Sequence, residues 1–420
     1  MNFQLINKGL LGEPAILLGM IALLGLVLQR HKPQKVLSGT VKAMLGYTLL
    51  QIGATAAGSS LSNLSVIILN GFQIIGIIPH NETVTALAQS YYGRDIAFIM
   101  LIGMIGHLAI ARFTKCKYIF LTGHHILFMA SLLAVVLASY SLLPWHIYII
   151  GGLVLAMCMS IGPAVVQPYV RHVTGNDEFA IGHFNSAGYV LAGLIASIFK
   201  TKKNPTIPDK LNRVQPYFQD QIVVTAIFTF ILFLSASMFA SPQQLTELFQ
   251  GRHFIVVSAI QAIWFAGGVY IILHGVRMML AEIIPAFNGI AQRVVPGSIP
   301  AMDCPVLFAF APLASVLGFL LSFLGGILAM VLLVGIQYTV IIPGIIPHIF
   351  SGGAAGVIAY KVGGRMGLIV SSLCHGFFIT LLPLFLTPAL SDLGSVRATF
   401  ADSDFSLIGI FIHEIVQLLF

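Results

Sequence analysis

The stretch VRMMLAEIIPAFNGIAQRVVPGSIPAMDCPVLFAFA, residues 276–311, is apolar for most of its length yet carries Arg277, Glu282, Asn288, Gln292, Arg293 and Asp303. At the centre of a bilayer a charged side chain costs about 2.5–3.5 kcal/mol on insertion scales, and such residues face a protein interior or a water-filled cavity. Working outward, the surrounding chain decides that a bilayer is the right frame. It is 58% hydrophobic and 8% charged over 420 residues, spread along the whole length. A soluble fold leaves too much of its surface in water to hide that composition.

A spanning helix needs about 20 residues, and the chain divides into about eleven to thirteen apolar segments with short loops between them. Among these are Pro14–Leu28, Val36–Ala57, Ile96–Ala111, Tyr118–Tyr140, Trp145–Val166, Gln221–Phe239, Phe254–Leu280, Val306–Val334 and Met366–Leu386. The expectation is one polytopic, all-α integral membrane unit in the lipid bilayer, with no attached soluble domain. The start of the chain lacks the basic, apolar and small-residue sequence of a removable signal. Cys116, Cys158, Cys304 and Cys374 lie far apart with no CxxC spacing, so neither a metal nor a redox cofactor is expected from them.

The net charge of +7 reads as topology rather than as nucleic-acid binding, because the basic residues gather at the ends of apolar segments. Arg30, Lys32 and Lys35; Arg112, Lys115 and Lys117; and Lys200, Lys202, Lys203, Lys210 and Arg213 mark one face, expected to be cytoplasmic. Three apolar segments lie between the second and third clusters, whereas two ends on one side require an even number of crossings. One segment is therefore expected to be re-entrant or broken. The breaks carry histidine: Leu121-Thr122-Gly123-His124-His125 opens one segment and Ala180-Ile181-Gly182-His183-Phe184-Asn185-Ser186 another. Further interruptions fall at Pro296-Gly297, at Ala311-Pro312 and in the proline- and glycine-rich run 341–353. Non-helical backbone at membrane depth lines cavities or is buried in protein, and transporters build their sites there. A faint repeat relates Gly39 and Gly53 to Gly275 and Gly289, each pair fourteen apart, as in carriers with duplicated halves.

Taken together, Gly39-Thr40-Val41-Lys42, Leu49-Leu50-Gln51-Ile52-Gly53, Leu121-Thr122-Gly123-His124, Ile181-Gly182-His183, the long block from Gly275 to Asp303, and Ile341-Ile342-Pro343-Gly344-Ile345-Ile346-Pro347 resemble the membrane subunit, enzyme IIC, of the ascorbate type of bacterial phosphotransferase system. The resemblance covers nearly the whole chain. It implies an inverted-repeat, elevator-type carrier: a homodimer of about eleven transmembrane helices in the bacterial inner membrane, with a substrate-carrying core and a dimerisation domain. A sugar or sugar acid would be exposed inward and phosphorylated by a separate soluble partner, IIB, that carries the phosphate on a cysteine. The chain itself has no Gly-rich phosphate loop.

By the same resemblance the substrate pocket falls on Thr83, His124, His125, Phe128, His183, Phe184 and Asp303, with Asp303 as the catalytic carboxylate. Gly53 would give the ligand room near backbone. Where the ascorbate carriers place two glutamines this chain has Phe128 and Phe184, which puts the ligand's identity in question; Asn185 and Ser186 are the residues that can replace the lost amides. Glu282 and Arg277 are expected to pair with each other or with neighbouring helices. The alternative is an ion-coupled or uncoupled carrier of a small polar solute on the same fold. An intramembrane enzyme is disfavoured, since neither HExxH nor Gly-x-Ser-x-Gly is present and His413-Glu414 closes the last apolar segment.

Overall fold

The structure, a computed structural model, describes residues 14–72, 76–140, 142–199, 220–241, 245–246, 249–336, 338–393 and 398–419. The basic loop Thr201–Arg213 lies outside these residues, as do the side chains of Asn288, Gln292 and Arg293. Helices α1 (Pro14–Leu28) and α2 (Pro33–Phe72) are followed by strand β1 (Gly76–Pro79) and α3 (Asn81–Phe113). Strand β2 (Tyr118–Phe120) leads into α4 (Gly123–Ala138), then α5 (Pro144–Thr174), and β3 (Ala180–Ile181) leads into α6 (Ser186–Ile198). The second half contains α7 (Gln221–Phe239), α8 (Phe254–Val294), β4 (Ile299–Met302), a 3-10 turn (Cys304–Phe310), α9 (Pro312–Gly335) and β5 (Val340–Ile341). One helical turn (Ile345–Pro347) and a π turn (His348–Gly352) then enter α10 (Gly353–Leu386), which is followed by β6 (Ala398–Thr399) and α11 (Ser403–Leu419). Six of the described helices are long and apolar enough to cross a membrane, beginning at Asn81, Pro144, Ile222, Phe254, Pro312 and Ile345. This is a multi-pass, all-α membrane protein.

The segments expected to be broken are short for a physical reason. Helix α4 has 16 residues and α6 has 13; at 1.5 Å per residue these reach about 24 and 20 Å, below the roughly 30 Å of a hydrocarbon core. Both begin where a strand ends. The strands form two small parallel sheets, ordered β5-β1-β6 and β2-β4-β3. Strand pairing satisfies backbone that water cannot reach: the Ile342 N–H donates to the Ile77 carbonyl at 2.8 Å, and the Gly182 N–H to that of Met302 at 2.7 Å.

The element order repeats. Long helix, strand, helix, strand, paired helices, strand and helix run from α2 to α6 and again from α8 to α11, with Gly364 (φ 64°, ψ −152°) dividing α10 where a loop divides α4 from α5. Corresponding elements start at 76 and 299, 118 and 340, and 123 and 345. Each half lends its first strand to the other: β1 lies between β5 and β6, and β4 between β2 and β3.

The long helices α2 and α8, of 40 and 41 residues, cross antiparallel. A methyl group on Gly46 would stand 2.6 Å from the Gly275 carbonyl, and one on Gly53 2.6 Å from that of Gly268. Small residues two turns apart let the backbones meet. Gly53 thus serves helix crossing, and its counterpart in the other half is Gly275; the Gly39–Gly275 pairing expected from sequence is out of register. Contacts fall into two sets, with α1, α2, α7 and α8 packing chiefly on one another and α3–α6 with α9–α11 forming the rest.

Candidate functional site

Six strand ends deliver helix starts to the middle of the second set, and a cavity of about 180 Å³ lies among them. Its chemistry centres on Asp303, the residue between β4 and the 3-10 turn. Asp303 Oδ1 accepts from His183 Nδ1 at 2.8 Å and from the Cys304 N–H at 2.7 Å, while Oδ2 lies 3.3 Å from His124 Nε2. His124 comes from the first turn of α4, and His183 from the link between β3 and α6. Asp303 and His124 are each about one-third exposed, whereas His183 is buried. The carboxylate is an acceptor only and meets three donors, which fixes its orientation towards the cavity.

His183 is held at both ring nitrogens. Its Nε2 lies 2.9 Å from Ser351 Oγ, and the Ser351 hydroxyl donates onward to Asp402 Oδ1 in a short hydrogen bond. Asp402 Oδ2 accepts from Asn81 Nδ2 at 2.8 Å. Asp402 is buried and has φ +60°, a left-handed backbone that side-chain-bearing residues adopt at a cost. His125, also buried at the wall, packs its ring 3.8 Å from that of His183 and receives the Phe184 N–H on Nδ1 at 3.4 Å. Phe128 lines the cavity, edge-on to His124 at 5.6 Å.

The remaining sequence-derived positions lie elsewhere. Thr83 is fully buried and bonds to His80 Nδ1 through both its N–H (3.2 Å) and its hydroxyl (3.0 Å), so that His80 caps α3; the neighbouring Asn81 and Glu82 border the cavity instead. Phe184 stacks on Phe120 at 4.8 Å and is not a wall residue. Asn185 and Ser186 do not replace the missing amides. Asn185 Oδ1 accepts the Ser403 N–H, and the Ser186 N–H donates to Asp404, so the starts of α6 and α11 cap each other. Glu282 pairs with Lys35 (2.5 Å) and Lys42 (4.0 Å) rather than with Arg277, over the space left by Gly39. Arg277 borders the cavity.

Sequence reading missed Glu82, Asp402 and Arg277. The signal for Asp402 was present: it immediately precedes the start of α11 as Asn185 precedes that of α6. Two groups, His124, His125 and Asp303, and His183, Asp303 and Cys304, bring metal-ligand atoms within 4.8 Å of one another. In both, Asp303 is already engaged by a histidine, so an ion would have to displace those contacts.

Interrupted helices that bring polar side chains to a cavity, within a multi-pass helical fold, are the arrangement on which membrane carriers build their sites. The chain belongs to the family of PTS system sugar-specific permease components (EIIC-GAT), which it matches over residues 9–404. It is similar to the ascorbate-specific PTS system EIIC component of Mycoplasma pneumoniae, at 27% identity over 408 residues. That alignment takes in 84% of this chain and 62% of the relative, so the chain spans less than two thirds of that protein's length.

Proposed function

We propose that the protein is the membrane-embedded permease of a bacterial phosphotransferase system of the ascorbate type, residing in the inner membrane as a homodimer. It takes a sugar or sugar acid and presents it to a separate phosphorylated IIB. The observation that carries this reading is the Asp303 carboxylate, held by His124 and His183 at a cavity wall. Asp303 accepts hydrogen bonds from the substrate hydroxyls, His124 orients the ligand, His183 holds the Asp303 carboxylate in place, and Phe128 offers an apolar face to the ligand's ring.

The chemistry balances without a cofactor. The substrate hydroxyl oxygen forms the new P–O bond as the S–P bond of the partner's phosphocysteine breaks; the thiolate leaves on the partner and the hydroxyl proton passes to Asp303. The permease supplies positioning, which by itself removes much of a bimolecular barrier, and a base, worth about 10²–10⁴-fold. Transport follows an elevator scheme with about eleven transmembrane helices: the strand-bearing set that includes α3–α6 and α9–α11 carries the cavity, and α1, α2, α7 and α8 form the dimerisation frame. The sparse contacts between the two sets support this division.

Co-reconstitution with a phosphorylated IIB tests the reading. Substrate recovered inside proteoliposomes is expected to be phosphorylated, with transport dependent on the phosphoryl donor and independent of sodium or proton gradients. Recovery of free substrate driven by an ion gradient would overturn it. The two phenylalanines are expected to respond differently to glutamine. Phe128→Gln places an amide at the cavity wall and shifts the relative affinities for sugar ligands by about tenfold, the scale of one hydrogen bond to a ligand. Phe184→Gln buries that amide among Phe120, His125 and Phe405. It costs about 1–3 kcal/mol of stability, read as a lower unfolding midpoint with ligand ranking unchanged.

A further inference from the structure

Two of the three acids at the cavity wall are already matched. Asp303 faces His124 and His183, and Asp402 accepts from Asn81 and Ser351, whereas Glu82 lies 3.3 Å from a His80 Nδ1 that already accepts the Thr83 N–H. Arg277 is the one wall residue with a permanent positive charge, and among the described residues no ion pair joins it to any of these acids. Arg277 is exposed rather than packed away among apolar helices, and its planar fork of donors matches an oxyanion. A wall with three carboxylates otherwise repels an anion.

The origin of Arg277 adds a second consideration. The histidines and acids of the wall lie at the starts of the strand-led helices, whereas Arg277 lies on α8, the long helix packed chiefly on α2. Arg277 thus borders the cavity from the other set of helices.

We infer that Arg277 is the anion-recognising residue of this site, binding the oxyanion of a sugar-acid ring from the frame while the carrying helices hold its hydroxyls. The inference rests on the reading of the cavity as a sugar site. It makes recognition of the cargo's charge depend on position: the contact exists while the cavity lies against α8 and breaks when the carrying set moves away. Neutral sugars of the same size gain nothing from it.

The test compares L-ascorbate, an anion at pH 7, with the neutral L-gulono-1,4-lactone, using the full chain in lipid nanodiscs and calorimetric titration. Arg277→Gln is expected to weaken ascorbate binding by about tenfold to a hundredfold, as for loss of a charge-assisted hydrogen bond, and to leave the lactone within about twofold, on the same scale. It should also remove the fall of ascorbate affinity with rising salt, and Arg277→Lys should keep part of both. Equal weakening of the two ligands, or unchanged ascorbate binding, overturns the inference. So does a variant in which inorganic phosphate ceases to compete while ascorbate is unaffected, since the guanidinium then serves the phosphoryl group. Wild-type binding of the lactone but not of ascorbate overturns the role of Arg277 and leaves the sugar site standing. Binding of neither overturns both.

Discussion

On the proposed function, Asp303→Asn is expected to reduce phosphorylation of substrate by IIB by at least about a hundredfold, the lower range for loss of a general base, while the protein still inserts. The argument is a count of donors and acceptors. His183 Nδ1–H and the Cys304 N–H both point at Oδ1, and His124 Nε2 faces Oδ2. A carboxylate receives all three. An asparagine offers one oxygen and turns an NH₂ towards the remaining partner, so a donor meets a donor. The variant therefore loses the proposed base and also disturbs the rings of His124 and His183. Insertion is spared because Asp303 sits at a short turn outside the helices that meet the lipid. The readout is the initial rate of substrate phosphorylation at saturating phosphorylated IIB, with folding followed by comparing the size-exclusion profiles of variant and parent. An unchanged rate would remove Asp303 from the site.

The largest loss of stability is expected from Gly376→Ala. Helices α9 and α10 approach so closely that a methyl on Gly376 would stand 1.7 Å from the Ser322 carbonyl oxygen, and one on Gly325 2.1 Å from that of Leu373. Neither neighbour is a flexible side-chain end; both are helix backbone. The helices must separate, and Ser322 stands between His348 Nδ1 (2.8 Å) and His375 Nδ1 (3.2 Å), with His375 touching Asn185 at 2.8 Å. Overpacking of this kind costs about 1–3 kcal/mol or more, and here breaking the buried polar contacts adds to it. Gly267→Ala is the control, because nothing lies within 4 Å of the added methyl group; in a helix interior it is expected to be neutral or slightly stabilising. Thermal unfolding of the two variants in the same detergent should separate them by several degrees. Similar midpoints would contradict the close packing of α9 on α10.

Much of the site was legible along the chain because its chemistry is local. Gly123-His124 and Gly182-His183 stand out wherever an apolar segment is interrupted, and a carboxylate at Asp303 in an apolar run needs a purpose. These three do meet at one cavity. What failed was assignment within a single turn. Thr83 and Asn81 are two residues apart at the start of α3, yet one donates its N–H to the capping His80 and the other faces the cavity. Phe128 and Phe184 carry the same side chain, and only one lines the wall. For Glu282 the expectation was a pairing with Arg277 or with a neighbouring helix, and the second holds: it meets Lys35 and Lys42 of α2.

By itself, the sequence determined that this chain lives in a bilayer, where its helices break and which polar residues those breaks carry. These follow from composition, glycine, proline and the cost of burying charge, all of which act over a few residues. Only the tertiary structure decided that β1 is shared with the second half and β4 with the first, that Asp402 supports His183 through Ser351, and that Arg277 reaches the cavity from α8. Those contacts join residues far apart in the chain, 168 positions for His183 and Ser351 and 51 for Ser351 and Asp402, and they are set by how helices without a local preference for one another pack together.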